Sequence, residues 1–598
     1  MPVLSHPALL DSLVTPLVAA TGDFRQKLAP VGDSLALSAI VALLPLLVVF
    51  VLLGVVRAQA YVAALAGLLT SVAVAVLAFG MPLGLSLLSA TQGGVYGVFP
   101  IMWIVLCALW LYQLTVSSGR FEDLRAVFDV VSDDPRVQAV LIAFCFGGLL
   151  EALAGFGAPV AITATMLIAL GVAPLRAACT VLLANTAPVA FGAIAIPITT
   201  AANLTGLPFG DIGATAGRQA PVLAAFVPML LLLVVDGVRG LREVWPAALV
   251  TGLSFALAQF ATSNYLSVEL TDIVASLVGL GVTVVFVRIW TPVGAGAAHE
   301  RLAADRDAEH AVTAARGGAA RGGTATGGGV ATAPAGSGTP ADGADRPALD
   351  QARVWLALFP YLLVIAVFSA CKLINPVKDW LARTDRKISW PGLDGHVLSA
   401  SGKASTATVY TFGWLSSPGT TLLLCGVVVA LVYRIAPRRA VADFVTTLVK
   451  LRFAILTVAS VLALAYVMNI SGQTVTIGTW IAGAGGFFAF LSPVLGWLGT
   501  AVTGSDTSAN ALFAKLQATA GAKAGIHPTL LVSANTTGGV VGKMISPQNL
   551  TIAASAAGLD GRESEILRRV LPWSIGLLLV LCTLVYLQST PVLSWMLP

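Results

Sequence analysis

The sequence predicts an all-α polytopic membrane protein of about 12 full transmembrane helices plus two re-entrant, broken-helix regions, arranged in two repeats expected to be inverted. Three observations predict it. Of 598 residues, 57% are hydrophobic and only 11% charged, against roughly 25% charged in soluble domains. The apolar residues fall in runs near the ~20 residues that a bilayer core requires, and the runs repeat almost to the C-terminus. A polar stretch without large apolar residues divides the chain near its middle.

The spans are read in order. Residues 1–34 form a polar N-terminal tail with Asp11 and Asp23, and lack the charge-apolar-small order of a cleaved signal peptide. The first transmembrane half, 35–290, holds runs at Leu35–Val56, Ala60–Phe79, Val95–Val116, Ala177–Thr199, Pro221–Val235, Trp245–Ala261 and Ile273–Trp290, with a broken helix at 144–163. Residues 291–350, rich in Gly, Ala, Thr and charge, read as a disordered linker, because they bury too little surface to offset ordering entropy. Arg301, Arg306, Arg316, Arg321 and Arg346 favour a cytoplasmic location. The second half, 351–598, holds runs at Val354–Cys371, Thr420–Tyr433, Phe444–Met468, Gly478–Val502 and Val570–Leu587, a polar loop at 372–418 expected on the opposite face, and a broken helix at 503–510.

Several functions are excluded by what is missing. The net charge of +5 comes without a basic cluster interleaved with aromatics, so no nucleic-acid partner is expected. Six scattered cysteines and five mostly polar-region histidines give neither disulfide framework nor metal set. There is no GxSxG elbow and no P-loop. The chain is expected to be no enzyme and to need no cofactor.

Four segments carry chemistry. In the first, Glu151 stands in apolar surroundings before Gly155-Phe-Gly157-Ala-Pro159. A lone buried carboxylate must pair, meet water or hold a proton, which suits proton coupling. The glycines permit an unwound turn, and Pro159 suits the start of a new helix, whose free N–H groups seat an anion. The alternative is a packing hairpin with Glu151 facing a loop. In the second, Asn185 and Thr186 precede Pro188, and bind a ligand or rescue the freed backbone. In the third, Thr503-Gly504-Ser505-Asp506-Thr507-Ser508-Ala-Asn510 offers hydroxyls, an amide and a second acid. Asp506 is a proton carrier or a helix N-cap. In the fourth, Asn535-Thr536-Thr537-Gly538-Gly539 reads as another break, followed by Gly542 and Lys543. Lys543 attracts the anion, neutralises an acid or, more simply, snorkels from a helix end. The order acid, break, Ala-Asn-Thr occurs in both halves, at Ala184-Asn185-Thr186 and Ala534-Asn535-Thr536.

At these segments the sequence resembles the bacterial L-lactate permease family. The matching stretches are FCFGGLLEALAGFGAPVAIT (144–163), ANTAPVAFGA (184–193), GWLGTAVTGSDTSANALFAKLQ (496–517) and ANTTGGVVGKMISPQ (534–548). The resemblance covers most of the chain outside the tail, the linker and the Lys372–Pro418 loop. It implies a multi-pass carrier of the bacterial plasma membrane that takes up L-lactate with a proton and accepts D-lactate and glycolate. It also implies kinship with the wider ion-transporter group, which holds carboxylates on Ser-Asn-Thr-like hairpin tips. The matching positions here are Asn185–Thr186 and Asn535–Thr536, with Ala in place of Ser in both triplets. The expected site is therefore Gly155, Gly157, Asn185, Thr186, Ser505, Thr507, Ser508, Asn510, Asn535, Thr536 and Thr537 for a small monocarboxylate, with Glu151 and Asp506 carrying the proton. A sodium-coupled carboxylate carrier is the alternative. A homo-oligomer is left open.

Overall fold

The computed structural model describes residues 23–120, 123, 132–153, 155, 157–320, 351–400, 402 and 404–598. Most of the expected tail and the second part of the expected linker lie outside the described residues.

The first half begins with α1 (Leu35–Phe50), capped by Ser34, then α2 (Ala60–Leu77), α3 (Leu83–Tyr96) and α4 (Trp103–Ser117). Next come α5 (Pro135–Leu153), which contains a π-helical stretch at Leu141–Phe146, and α6 (Ala158–Ala169). They are followed by α7 (Pro174–Ala184), α8 (Gly192–Thr205), α9 (Phe209–Ala224), α10 (Val227–Ala261), kinked at Gly237, and α11 (Thr271–Ile289). Then α12 (Ala295–Ala320) leads out of this half.

The second half runs through α13 (Gln351–Leu373), α14 (Asn375–Arg383), α15 (Pro418–Val432), α16 (Pro437–Ser471), α17 (Gln473–Ile481) and α18 (Phe488–Thr503). It ends with α19 (Asp506–Ala524), α20 (Pro528–Gly542), α21 (Pro547–Ala556) and α22 (Glu563–Gln588). Among the described residues ten helices are long and apolar enough to cross a membrane, eleven if one bent pair counts as a span. The all-α polytopic expectation holds, with fewer full spans than the sequence reading. One difference is the run at Ala177–Thr199, which is two helices, α7 and α8, bent by 60° across a break. Pro188 and the Gly192 turn interrupt the ladder there.

The polar 372–418 segment folds into α14 and two small sheets, with Arg386–Ser389 antiparallel to Val409–Phe412. Phe24–Arg25 pairs parallel with Val397–Leu398, so the start of the described chain and this loop share one side of the molecule. The expected linker is corrected in part: residues 295–320 are helical. The side chains on one face explain the docking. Arg301 bonds Asp236 at 2.8 Å, Asp305 pairs Arg176 at 2.6 Å, and Glu309 accepts from the Leu175 amide at 3.0 Å. The spacing of four places all three on one stripe.

Two crossings use glycine to bring backbones together. On α3, a Cβ at Gly93 would lie 2.5 Å from the Leu462 carbonyl of α16. Between α18 and α20, a Cβ at Gly496 would meet the Asn535 carbonyl at 1.9 Å, one at Gly538 the Pro493 carbonyl at 2.1 Å, and one at Gly542 the Trp497 carbonyl at 2.2 Å. This small-residue seam overturns the expected break at 535–539. The stretch is unbroken helix, and its glycines serve close approach instead.

Candidate functional site

Four interruptions of helix meet inside the fold: the end of α5 at Leu153, the 185–191 turn after α7, Gly504–Ser505 between α18 and α19, and the 3₁₀ turn Lys543–Ile545 before α21. Each has a local cause. Gly155 and Gly157 adopt φ of +55° and +83°, and Gly504 adopts +76°, a region that L side chains avoid. Ser505 then caps α19, its hydroxyl accepting from the Ser508 amide at 3.3 Å. Ser546 caps α21 in the same way through Asn549. The 503–510 break is thus two residues long. Asp506 sits in the first turn of α19, and the capping role falls to Ser505. The backbone at Ala193–Ala195 turns left-handed, at a cost of about 1–2 kcal/mol per residue.

A cavity of about 660 Å³ opens among these breaks, within the range of small-molecule sites. One wall is Glu151, Gly155, Gly192 and Ala193; a second is Thr503–Ser508 with Lys543 and Gln548. The third comes from elsewhere in the fold: Gln59–Tyr61 at the start of α2, and Phe453, Ala454, Thr457 and Val458 of α16. Tyr61 stacks on Phe453 at 5.1 Å.

The central contact is an ion pair. Lys543 Nζ donates to Glu151 Oε1 at 2.5 Å, with both side chains almost wholly buried. Glu151 Oε2 has no hydrogen-bond partner among the described residues. Gly192 packs closely here, where a Cβ would lie 3.0 Å from Glu151 Oε1. Asp506, buried and within electrostatic reach of Lys543, accepts from Thr500 Oγ1 at 3.4 Å, and its Oδ2 has no partner among the described residues. A Cβ on Gly539 would fall 1.9 Å from Asp506 Oδ1. The snorkelling alternative for Lys543 is therefore corrected: the helix end it occupies is buried, and an acid from the other half holds it.

The expected residues divide. Glu151, Gly155, Ser505, Asp506, Thr507 and Ser508 line the cavity together. Gly157 does not; it faces α21, where a Cβ would meet Ile552 at 2.4 Å. Asn185 and Thr186 border a closed gap beside Lys543 and Asn549. Thr186 donates to the Leu183 carbonyl at 2.7 Å, while Asn185 Oδ1 has no partner among the described residues. Asn510, Asn535 and Thr536 form a buried network. Asn510 Oδ1 accepts from Asn535 Nδ2 and Thr536 Oγ1, both at 3.0 Å, and Gln517 Nε2 donates to Asn535 Oδ1 at 3.0 Å. Thr537 donates to Gln219 Oε1 at 2.8 Å. These four pin α20 to its neighbours. The two Ala-Asn-Thr triplets are consequently unlike: one ends a helix, the other lies inside one.

Gln59, Tyr61, Thr457 and Gln548 enter the site without having been anticipated. Gln59 and Gln548 are polar residues at helix starts, a weak signal. Tyr61 and Thr457 lie in apolar runs and carry none.

The L-lactate permease family profile matches residues 38–592. The L-lactate permease of Bacillus subtilis is 40% identical, over 96% of this chain and 100% of the relative. The glycolate permease GlcA of Escherichia coli is also 40% identical, over 95% and 98%. The L-lactate permease of Escherichia coli is 38% identical, over 96% and 100%. Among solved structures, the Alcanivorax borkumensis YdaH transporter aligns over 80% of this chain and 88% of its own, at 16% identity and a TM-score of 0.30, a likeness too weak to fix the helix arrangement.

Proposed function

As this chain belongs to the L-lactate permease family, a family of transporters and not of enzymes, we propose that it imports L-lactate, with D-lactate and glycolate as further substrates, in symport with a proton. The observation that carries the reading is the Glu151–Lys543 pair in the cavity wall.

The physical argument starts from charge. A monocarboxylate entering a negative interior is opposed by about 2.3 kcal/mol per 100 mV. A proton carried with it removes that opposition. Among the described residues Lys543 has one carboxylate partner, and an incoming carboxylate competes with Glu151 for the same ammonium. Protonation of Glu151 weakens its hold and frees Lys543 for the substrate. Proton and anion then bind together because both act on one lysine. In the same wall as Lys543 stands the N-terminus of α19, whose opening amides lack intrahelical acceptors and complete an anion seat. Ser508, which lines the cavity, is the candidate partner of the substrate hydroxyl, since the Thr503 hydroxyl already donates to the Gly499 carbonyl at 2.7 Å. Asp506 supplies a second acid facing the same space. Movement of the broken-helix elements against α2 and α16 would expose the cavity to alternate sides.

Purified protein in vesicles tests this directly. Radiolabelled lactate uptake should rise with an inward proton gradient, ignore replacement of sodium, and be competed by glycolate more than by succinate. Glu151→Gln should flatten the proton response; an unchanged response would remove Glu151 from the role.

A further inference from the structure

A third buried acid stands behind the cavity. Asp272 opens α11 and is 1% exposed. Its Oδ1 accepts from Gln259 Nε2 at 2.8 Å, and the same nitrogen reaches the Ala187 carbonyl at 3.1 Å. One amide of α10 thus ties the start of α11 to the 185–191 turn. Asp272 Oδ2, Gln259 Oε1 and Ser276 Oγ have no hydrogen-bond partner among the described residues. Ser276 lies one turn along α11, and a Cβ on Gly148 would sit 2.8 Å from its hydroxyl and 3.9 Å from Pro188 Cβ. Gly148 precedes Glu151 by one turn of α5, and Glu151 is within electrostatic reach of Asp272. Glu151 Oε2 is the fourth unpartnered oxygen of this group.

Around Asp272 stand the Gln259 amide of α10, which donates to it, the Ala187 carbonyl that shares this amide, the Glu151 carboxyl of α5 within electrostatic reach, and Ser276 one turn along its own helix. Glu151 is the charged group within reach, and it repels a second negative charge. A carboxyl so placed needs a proton, water or a bound cation to balance it. Structural acids elsewhere in the chain are treated differently: Asp134 and Asp236 each face an arginine.

We propose that Asp272 is a second proton-holding carboxyl of the transport cycle, exchanging its proton with Glu151 of α5, the helix on which α11 packs. The proposal rests on the proton-symport reading above. The balance is simple. After the substrate leaves, the proton on Glu151 passes to the Asp272 carboxylate, and Asp272 then releases it to water on the inward side, so that one proton has crossed with the substrate and Asp272 is a carboxylate again for the next turn. Glu151 becomes a carboxylate again and recovers Lys543, and the total charge is unchanged. Gln259 is a positioning residue, holding Asp272 through Oδ1 and leaving Oδ2 without a partner among the described residues.

The test compares two readouts in proteoliposomes. Gradient-driven lactate uptake needs net proton movement, whereas exchange of internal for external lactate does not. Asp272→Asn should lower gradient-driven uptake at least tenfold and abolish its pH dependence, with exchange within twofold of the parent chain. Gln259→Leu should shift the pH profile with exchange retained, and serves also if Asp272→Asn does not yield folded protein. Undiminished uptake with the parental pH profile in Asp272→Asn overturns the proposal. So does loss of exchange in step with uptake in both variants, which marks a structural role. Uptake driven by a sodium gradient in the parent chain and lost in Asp272→Asn overturns it in favour of a sodium site. If the parent chain neither exchanges lactate nor responds to a proton gradient, the symport reading itself fails, a result distinct from all of these.

Discussion

Two buried cations in this molecule are handled in opposite ways. Arg136 is fully buried and saturated: Asp134 accepts from its Nε at 3.0 Å and from its Nη2 at 2.7 Å, Asp236 from Nη1 at 3.3 Å, Glu243 also from Nη1, and the Val293 carbonyl from Nη2 at 2.9 Å. Arg301 then closes over Asp236. Lys543 has one acid, whose second oxygen is unpartnered, and it borders a cavity. A planar guanidinium surrounded by fixed acceptors locks chain segments together, while a single ammonium–carboxylate contact is exchangeable. The difference separates a charge cluster that holds the fold from one that can trade partners during transport.

The sharpest way to break this comparison is Lys543→Met. It leaves Glu151 buried without a counter-charge, a loss of about 3–5 kcal/mol, and should abolish lactate uptake. The double variant Glu151→Gln/Lys543→Met should recover most of the thermal stability in detergent without recovering uptake. Recovery of both would make the pair merely structural. Arg136→Met should cost a similar amount, about 3–5 kcal/mol, by leaving acids unpaired. Here the protein that does fold should transport lactate at the parental rate per molecule, measured against surface-accessible protein. The smallest effect is expected at the rim. Arg301→Ala removes a partly exposed contact, worth about 0–1 kcal/mol, and its shift in melting temperature should fade in high salt. A large, salt-independent shift would place Arg301 within the core of the cluster.

Much of the site was legible in the sequence where a residue type contradicts its surroundings. Glu151 in an apolar run and the glycine interruptions at 155–157 and 504 point to broken helix, and the fold has it there. The 535–539 stretch misleads, because glycine that lets two helices touch is written with the same letter as glycine that ends one. The decisive fact is the Asn535 carbonyl lying against Gly496, a tertiary contact with no local signature. Lys543 illustrates the same limit: its partner is 392 residues away. Asp272 stands at the margin of its apolar run, where an acid reads as interfacial, and the packing of α11 on α5 and α10 buries it. The helix at 295–320 carries its charges four apart, a helical spacing, but its scarcity of large apolar residues hides the docking that those charges perform.

The long sequence separation of Glu151 and Lys543 bears on biogenesis. The N-terminal half is synthesised first, so Glu151 enters the bilayer long before its lysine exists. Until then the acid must stay hydrated or neutral, and the nascent half cannot close around it. Synthesis of residue 543 completes the lock. Each half made alone should therefore be a poor product, prone to quality-control proteolysis, and co-production of the two fragments should rescue both.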